Sequence, residues 1–375
     1  MRLHVDQRHD RVLEIVEQRG SLRVAELASE LGVSPVTLRR DIEILARQGR
    51  VRRLHGSVLW PGESGAALSP ASPAVPVPRD EGIVVGMVVP STDYYFADVV
   101  RGARETVEAR GGRLTIGLHR YLSGEDAAQS ARLLAAGVDG LLLTPDWGGG
   151  QAVEGAGEGD WAGLLEVPVV LVERRAGPGS PAAALDLVAT DHAFGAAEAV
   201  RKLAALGHRR IALAAQESPT AAQLRTGHRA AIAALGLDEV PASPLDTAPA
   251  VSEADRFDRT LEYLCDAVGR HGVTAVLVHS DADAVVLVPR LQARGVRVPE
   301  ELAVVAYDDE VADLAGLPLT AVAPPKRAVG STAAGLLLDR IAERRRGDRV
   351  PAPRRHVELL PELRVRASSG NPVSF

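Results

Sequence analysis

The chain has 375 residues, of which 46% are hydrophobic and 25% charged. This composition is typical of a globular protein with two or three domains. A single cysteine, Cys265, excludes an internal disulfide and any zinc or iron–sulfur site built on several cysteines, which indicates a reducing, cytoplasmic setting. The N-terminal residues lack the apolar core of a signal peptide, and no apolar run approaches 18 residues, so we expect neither secretion nor membrane insertion.

The net charge of −6 is unevenly distributed along the chain. Residues 1–60 carry 11 arginines and 8 acidic residues, a net charge of +3, which leaves −9 for the remainder. A basic segment on an acidic chain indicates a separate unit that meets a polyanion such as nucleic acid.

Residues 1–60 predict three helices, because apolar residues recur there at helical spacing. These residues are Val12, Ile15 and Val16, then Val24, Leu27, Ala28 and Leu31, then Leu38, Ile42 and Leu45. Residues 61–81 are rich in proline, serine, glycine and alanine, which favours an extended, semi-rigid linker.

From residue 82 onward, short β-branched runs alternate with amphipathic helices such as 98–110, 195–206 and 225–235. The predicted strands are 83–89, 113–118, 140–144, 168–172, 187–190, 210–215, 275–279 and 302–307. Continuous apolar strands separated by helices are typical of parallel sheets that are covered on both faces. We therefore predict an α/β domain of two lobes over 82–368, with a cleft between the lobes and a short tail at 369–375.

The second and third predicted helices form a helix-turn-helix. Gly32 can adopt the left-handed backbone of a sharp turn, Ser34 caps the third helix, and Pro35 fits into its first turn. The run RVRRLHG that follows Gly49 predicts a basic β-hairpin, the wing of a winged helix-turn-helix.

The face of the third helix opposite its apolar stripe is expected to enter the major groove. There Arg40 can reach a guanine edge or a phosphate, and Val36 and Thr37 can touch thymine methyl groups. The predicted DNA contacts are Ser34, Val36, Thr37, Arg39, Arg40, Arg52, Arg53 and His55. The alternative is an ordinary solvated helix with surface arginines.

Residues 8–57 resemble the DNA-binding domain of the DeoR family of bacterial regulators. They share the pattern ELA..LGVS..T.RRD...L...G...R.HG, with Ser57 where many members have a second glycine. The resemblance implies that the N-terminal segment binds double-stranded DNA.

Residues 82–366 resemble a different family, the LacI family with its periplasmic-binding-protein-like sensor. The similar stretches include IVVGMVVPSTDYYFADVVRGARETVEARGGRL, TDHAFGAAEAVRKLAALGHRRIALA and VTAVLVHSDADAVVLVPRLQARGVRVPEELAVVAYDD. The resemblance implies a small-molecule effector, a sugar or related metabolite, bound in a cleft between lobes that are joined by crossover strands.

Three adjacent aromatic residues, Tyr94, Tyr95 and Phe96, lie just past the carboxyl end of the first predicted strand of this domain. Ligands of open α/β sheets bind beyond the carboxyl ends of the strands, and aromatic rings stack on the C–H face of a sugar. Either core packing or ligand contact can explain each ring, and the LacI resemblance favours Tyr95 and Phe96 as ligand contacts.

The remaining ligand candidates follow other predicted strands or begin helices. Asp191 either caps its helix or contacts ligand. Ser280 stands where the family commonly has asparagine. Asp308 and Asp309 lie at the family's ligand-carboxylate position, and we expect Asp308 to contact ligand while Asp309 caps or bridges locally. Arg225 lies two residues before Gly227, whereas the family's ligand arginine lies three before its glycine. Glu173 and Arg174 either contact ligand or pair with each other.

The sequence carries no signature of a catalytic or metal site: we find no HExxH and no G-x-S-x-G, and the glycine-rich run 148–159 lacks the spacing of a phosphate loop. We therefore expect a transcriptional regulator without cofactor or metal, a repressor of carbohydrate-utilisation genes. We expect it to act as a homodimer or tetramer in the cytoplasm and on the nucleoid. The alternative is a sugar-binding or sugar-processing protein with an accessory helix-turn-helix domain.

Overall fold

The structure is a computed structural model. It describes residues 11–13, 15–16, 21–23, 27, 45, 50, 52–54, 57–59, 82–122, 124–146, 160–241, 252–347 and 352–370. The chain divides into two compact units, residues 1–76 and 77–375.

The N-terminal unit contains a small antiparallel sheet of β1 (Ser21–Arg23), β2 (Arg52–Leu54) and β3 (Ser57–Leu59), in the order β1-β3-β2. The β2–β3 hairpin confirms the predicted wing, whereas β1 was not predicted. The described apolar positions of the predicted helices are all buried, namely Val12, Ile15, Val16, Leu27 and Leu45.

Most of the predicted DNA contacts lie outside the described residues, as does the linker 61–81. These contacts are Ser34, Val36, Thr37, Arg39, Arg40 and His55. For Arg52 and Arg53 the structure describes the backbone strand alone. The assignment of these residues to DNA therefore stays a prediction.

The first lobe of the second unit has a six-stranded parallel sheet in the order β13-β8-β7-β6-β4-β5. Its strands are β4 (Val84–Val89), β5 (Arg113–Leu118), β6 (Gly140–Leu143), β7 (Val169–Val172), β8 (Asp186–Thr190) and β13 (His356–Leu359). Its helices are α1 (Tyr95–Ala109), α2 (Glu125–Ala135), the short α3 (Asp160–Gly163) and α8 (Lys326–Arg346).

The second lobe has a five-stranded sheet in the order β14-β12-β11-β10-β9, in which β14 alone is antiparallel to its neighbour. Its strands are β9 (Ile211–Ala215), β10 (Ala275–His279), β11 (Ala303–Tyr307), β12 (Thr320–Ala323) and β14 (Glu362–Arg364). Its helices are α4 (His192–Ala205), α5 (Ala221–Ala234), α6 (Glu253–His271) and α7 (Asp281–Ala293).

The chain crosses between the lobes three times: from β8 to α4, from β12 to α8 and from β13 to β14. Each sheet is covered by apolar clusters on both of its faces, as buried parallel sheets require. All eight predicted strands of this unit are present, so the predicted two-lobed α/β fold is confirmed.

Helices α1 and α8 pack closely over the first sheet because glycines stand at their contact. A β-carbon on Gly102 would overlap the carbonyl oxygen of Arg327, and one on Gly330 would overlap that of Val99. The close contact ties α8, which arrives from the second lobe, firmly to the first.

A buried ion pair fixes the far end of α8 to the first sheet. Arg340 Nε and Nη2 donate to the two carboxylate oxygens of Asp186 at 2.8 and 2.9 Å, and both side chains are buried. Burial alone would raise the pKa of Asp186, but hydrogen bonds from Arg340, the Arg355 N–H and Arg354 hold that pKa below its ordinary value. The negative charge of buried Asp186 is therefore stabilised by its arginine partners.

We expect Arg340→Met to lower the free energy of unfolding by about 3 kcal/mol, because it removes the main partner of a buried charge. Urea denaturation of the full chain measures this. The matched control is Arg110→Met, which breaks a pair with Asp339 whose side chains are both 50% exposed. The control should cost less than about 1 kcal/mol. Equal effects of the two substitutions would contradict this role of Arg340.

Candidate functional site

The carboxyl ends of both sheets border the cleft between the lobes, and strained backbone is concentrated there. Among the described residues, six that are not glycine have positive φ. All six follow the carboxyl end of a strand: Tyr94 after β4, Arg120 and Tyr121 after β5, Glu173 after β7, and Asp308 and Asp309 after β11. Such conformations cost about 1–3 kcal/mol each and collect at functional sites, so the strain marks this edge as the candidate site.

On the first lobe, Tyr95 is held by a buried carboxylate. Its hydroxyl donates to Glu173 Oε1 at 2.6 Å, and Glu173 also accepts from the Thr190 hydroxyl at 2.8 Å and the Thr190 N–H at 3.0 Å. Burial would raise the pKa of Glu173, but hydrogen bonds from His192, Tyr95 and the Thr190 N–H lower it to about 2. An ionised Glu173 therefore fixes the Tyr95 ring at the cleft edge.

Phe96 lies deeper than its neighbour. It is 4% exposed and packs in the core between α1 and the first sheet, with the Arg174 guanidinium 5.8 Å from its ring centroid. Arg174 donates to the backbone carbonyl of Glu173 at 3.3 Å and does not pair with its carboxylate. Phe96 is therefore a core residue, and its contact with a ligand stays a prediction.

Tyr94 connects the two lobes directly. Its hydroxyl donates to Asp281 Oδ1, and Asp281 Oδ2 accepts the backbone N–H groups of Glu310, Val311 and Ala312. Burial, with the negative charges of Asp308 and Asp281, raises the pKa of Tyr94, so its hydroxyl remains protonated. The described arrangement is therefore a closed one, in which a side chain of the first lobe reaches Asp281 at the start of α7, and Asp281 in turn holds the loop after β11.

Asp308 lies at the end of β11 and is 5% exposed. Burial raises its pKa to about 6, against the opposing influence of Lys326 and His192. His279 Nε2 lies 3.7 Å from Asp308 Oδ2, and burial together with repulsion from His192 lowers the pKa of His279 to about 4. A carboxylate beside a neutral imidazole is a strong acceptor for a hydroxyl group.

Lys326, the first residue of α8, forms a second connection between the lobes. Its ammonium donates to the Asp308 carbonyl and to Glu310 Oε1, and it lies 5.3 Å from the centroid of the Tyr95 ring. His192 forms a third, since its Nδ1 lies 3.0 Å from the Tyr307 hydroxyl and its Nε2 lies 3.5 Å from Glu173 Oε2. Buried polar groups therefore run continuously across the base of the cleft.

The remaining predicted ligand residues lie at the same edge. Asp191 caps α4 by accepting the Phe194 N–H at 2.9 Å, which is the capping alternative. Ser280 occupies the N-cap position just before α7, but its side chain makes no capping hydrogen bond, and it lies beside the Tyr94 hydroxyl. Arg225, near the start of α5, donates to Glu217 at 3.2 Å. Asp309 pairs with Arg364 and Arg366, which is the bridging alternative for one of the two adjacent carboxylates.

Sequence reasoning did not identify His192, Tyr307 or Lys326, and it named Tyr94 but favoured Tyr95 and Phe96 as ligand contacts. Tyr94 has the same sequence signal as Tyr95, since both lie in the segment that connects β4 to α1 or at its end. His192 and Lys326 lie at the crossovers, and the crossover from β12 to α8 was not predicted.

The part of the chain that the structure describes has neither a candidate metal cluster nor a candidate membrane-spanning helix. It contains no group of three histidine, cysteine or acidic residues able to hold a metal ion. Its helices also include none long and apolar enough to span a bilayer.

Two family models match the chain: a DeoR-like helix-turn-helix domain over residues 8–62 and a periplasmic binding protein-like domain over residues 200–369. The chain is 26% identical over 358 residues to the arabinose metabolism transcriptional repressor of Geobacillus stearothermophilus, covering 92% of this chain and 90% of that one. It is 32% identical over 269 residues to the transcriptional regulator CelR of Thermobifida fusca, covering 69% and 68% of the two chains.

Solved structures agree with these relatives. A CelR–cellobiose complex superposes with a TM-score of 0.59 at 25% identity, covering 90% of this chain and 92% of that chain. A LacI family regulator from Mycobacterium smegmatis superposes with a TM-score of 0.59 at 28% identity, covering 77% and 99%. With its DeoR-like helix-turn-helix and its periplasmic-binding-protein-like domain, the chain belongs to the LacI-type transcriptional regulators.

Proposed function

We propose that this chain represses carbohydrate-utilisation genes and that a sugar in the interlobe cleft controls its binding to DNA. The observation that carries the proposal is the strained cleft edge, where Tyr95 of the first lobe and Asp308 of the second border one cleft. Strained backbone conformations persist where the surrounding structure holds them in place, and they cluster at ligand-binding sites.

The chemistry of this edge suits a polyol. The Tyr95 ring offers an apolar face for sugar C–H groups, and its hydroxyl is already used by Glu173, so the ring cannot turn away. Asp308 and Ser280 offer acceptors for hydroxyl groups from the opposite lobe. A sugar that contacts both lobes would stabilise the closed arrangement by its differential affinity for it.

Closure must be transmitted to the N-terminal unit for the sugar to regulate DNA binding. A winged head reads one half-site, so two copies of the chain are needed for a palindromic operator, as a homodimer or a tetramer. Closure then changes how the dimer presents its two heads. A proline-rich linker cannot readily form a helix between head and sensor, so we infer that extended spacing or direct contact carries the signal.

Arabinose and cellobiose, which appear in the names of the relatives and solved structures above, are the first sugars to test. A ligand present at a hundredfold excess over its Kd stabilises the folded chain by about 2.7 kcal/mol. In a thermal-shift screen of the full chain we expect one sugar to raise the Tm by about 5–10 °C.

The same samples test the alternative function. NMR of the sugar after incubation should show it unchanged, because a regulator releases its effector intact. Turnover of a sugar would contradict the proposal in favour of an enzyme. No stabilisation by any mono- or disaccharide would contradict the effector class.

A further inference from the structure

The edge of the first lobe opposite the cleft carries a concentration of arginines that the effector site does not use. Residues 340–356 contain seven arginines and two acidic residues, in a chain whose net charge is −6. The described ones, residues 340–347 and 352–356, lie at the end of α8 and just before β13, at the edge where the parallel strands of the first sheet begin. We call Arg344, Arg345, Arg346, Arg354 and Arg355 the arginine face.

Carboxylates neutralise this face incompletely. Arg345 pairs with Asp139 at 2.8 Å, and Arg354 reaches Asp186 at 3.0 Å, a carboxylate that already holds Arg340. Arg344 donates to the backbone carbonyl of Glu166, and within the described residues no carboxylate pairs with Arg344 or Arg355. The face therefore retains excess positive charge at its surface.

The face is also concave. A cavity of about 240 Å³ opens between the end of α8 and residues 165–168, and Arg340, Arg344 and Arg354 line it together with Glu166 and Glu343. The cavity presents guanidinium groups in the fork geometry that suits phosphate oxygens.

The chain enters the sensor at this same edge. Asp139 accepts the Val84 N–H with Oδ2 at 2.8 Å and pairs with Arg345 through Oδ1, so the first residues of β4 and the arginine face share one carboxylate. The residues before β4 lead to the DeoR-like helix-turn-helix. The arginine face thus borders the point where the covalent connection to the head leaves the sensor.

We propose that the arginine face contacts the phosphate backbone of DNA that flanks the site read by the head. Arginines in the last turn of a helix also favour the helix dipole, and that explanation accounts for Arg344, Arg345 and Arg346 but not for Arg354 or Arg355. The inference rests on the proposed DNA-binding function and adds a second, sequence-independent surface to it.

The test compares two triple variants of the full chain. R344Q/R354Q/R355Q removes three charges from the face, and R209Q/R210Q/R270Q removes three exposed arginine charges from the second lobe as the matched control. The probes are a duplex selected from a random pool by the wild-type chain and the same duplex trimmed of its flanks. Fluorescence anisotropy gives the affinity between 50 and 250 mM KCl, with thermal melting to confirm folding.

We expect the first variant to bind the flanked duplex at least about tenfold more weakly than wild type. The slope of log K against log salt should fall by about 2–3, since each phosphate contact contributes about 0.9. The trimmed duplex and the control variant should show neither change. An unchanged slope, or equal losses on both duplexes, would overturn the inference while leaving the proposed function intact. A wild-type chain that selects no duplex would contradict the proposed function itself.

Discussion

Replacing both Arg39 and Arg40 by alanine is expected to weaken binding to the DNA site by at least about 100-fold. In the predicted reading helix, Arg40 contacts a guanine edge or phosphate and Arg39 a phosphate, and each contact of this kind is worth about 1–3 kcal/mol. A fluorescence anisotropy titration at fixed salt measures the loss.

The control for this prediction is a pair of exposed sensor arginines, Arg209 and Arg210, which both contact Asp238. Their replacement by alanine removes the same charge and should leave DNA affinity within about twofold of wild type. The Arg39/Arg40 variant should also keep the wild-type sugar affinity. DNA binding that survives the double substitution would favour an ordinary solvated third helix.

Replacing Asp308 by asparagine is expected to weaken sugar binding by about 100-fold and to leave DNA binding in the absence of sugar unchanged. The substitution preserves shape but removes the charged acceptor, and hydrogen bonds to charged groups are worth about 1.5–3 kcal/mol each. Isothermal titration calorimetry with the sugar found by thermal shift measures the loss. The matched control is Asp309→Asn, whose side chain turns to Arg364 and Arg366 and should retain sugar affinity.

The pH dependence of sugar binding gives a second readout for Asp308. Its pKa of about 6 means that the carboxylate is mostly ionised at pH 7 and mostly protonated at pH 5. A sugar that donates to the carboxylate should therefore bind about tenfold more weakly at pH 5 than at pH 7. Asp308→Asn should abolish that difference. An equally steep pH dependence in the variant would assign the titration to another group.

The strands and the cleft edge could be predicted because both depend on local sequence. Continuous apolar runs predict β4 to β11, and residues beyond the carboxyl ends of these strands lie at the cleft edge, as Tyr95 and Asp308 do. Strands β13 and β14 were missed because their residues alternate between exposed and half-buried, so HVELLPELR shows no apolar run.

The polar connections across the cleft could not be predicted, because they join residues that only the fold brings together. His192 and Tyr307 are 115 positions apart, and Tyr94 and Asp281 are 187 apart. The three crossovers between the lobes bring these residues together. Two of the crossovers involve β12, β13 and β14, and these strands were not predicted from the sequence.

The effect of sugar on DNA affinity tests the central claim most directly. The DNA dissociation constant of the full chain is measured at constant salt without sugar and with the stabilising sugar at saturation. Coupling between sites is typically worth 1–3 kcal/mol, so we expect the constant to change by at least about fivefold, and to change much less in Asp308→Asn at the same sugar concentration. A constant that is the same with and without the bound sugar would contradict the claim that this cleft controls DNA binding.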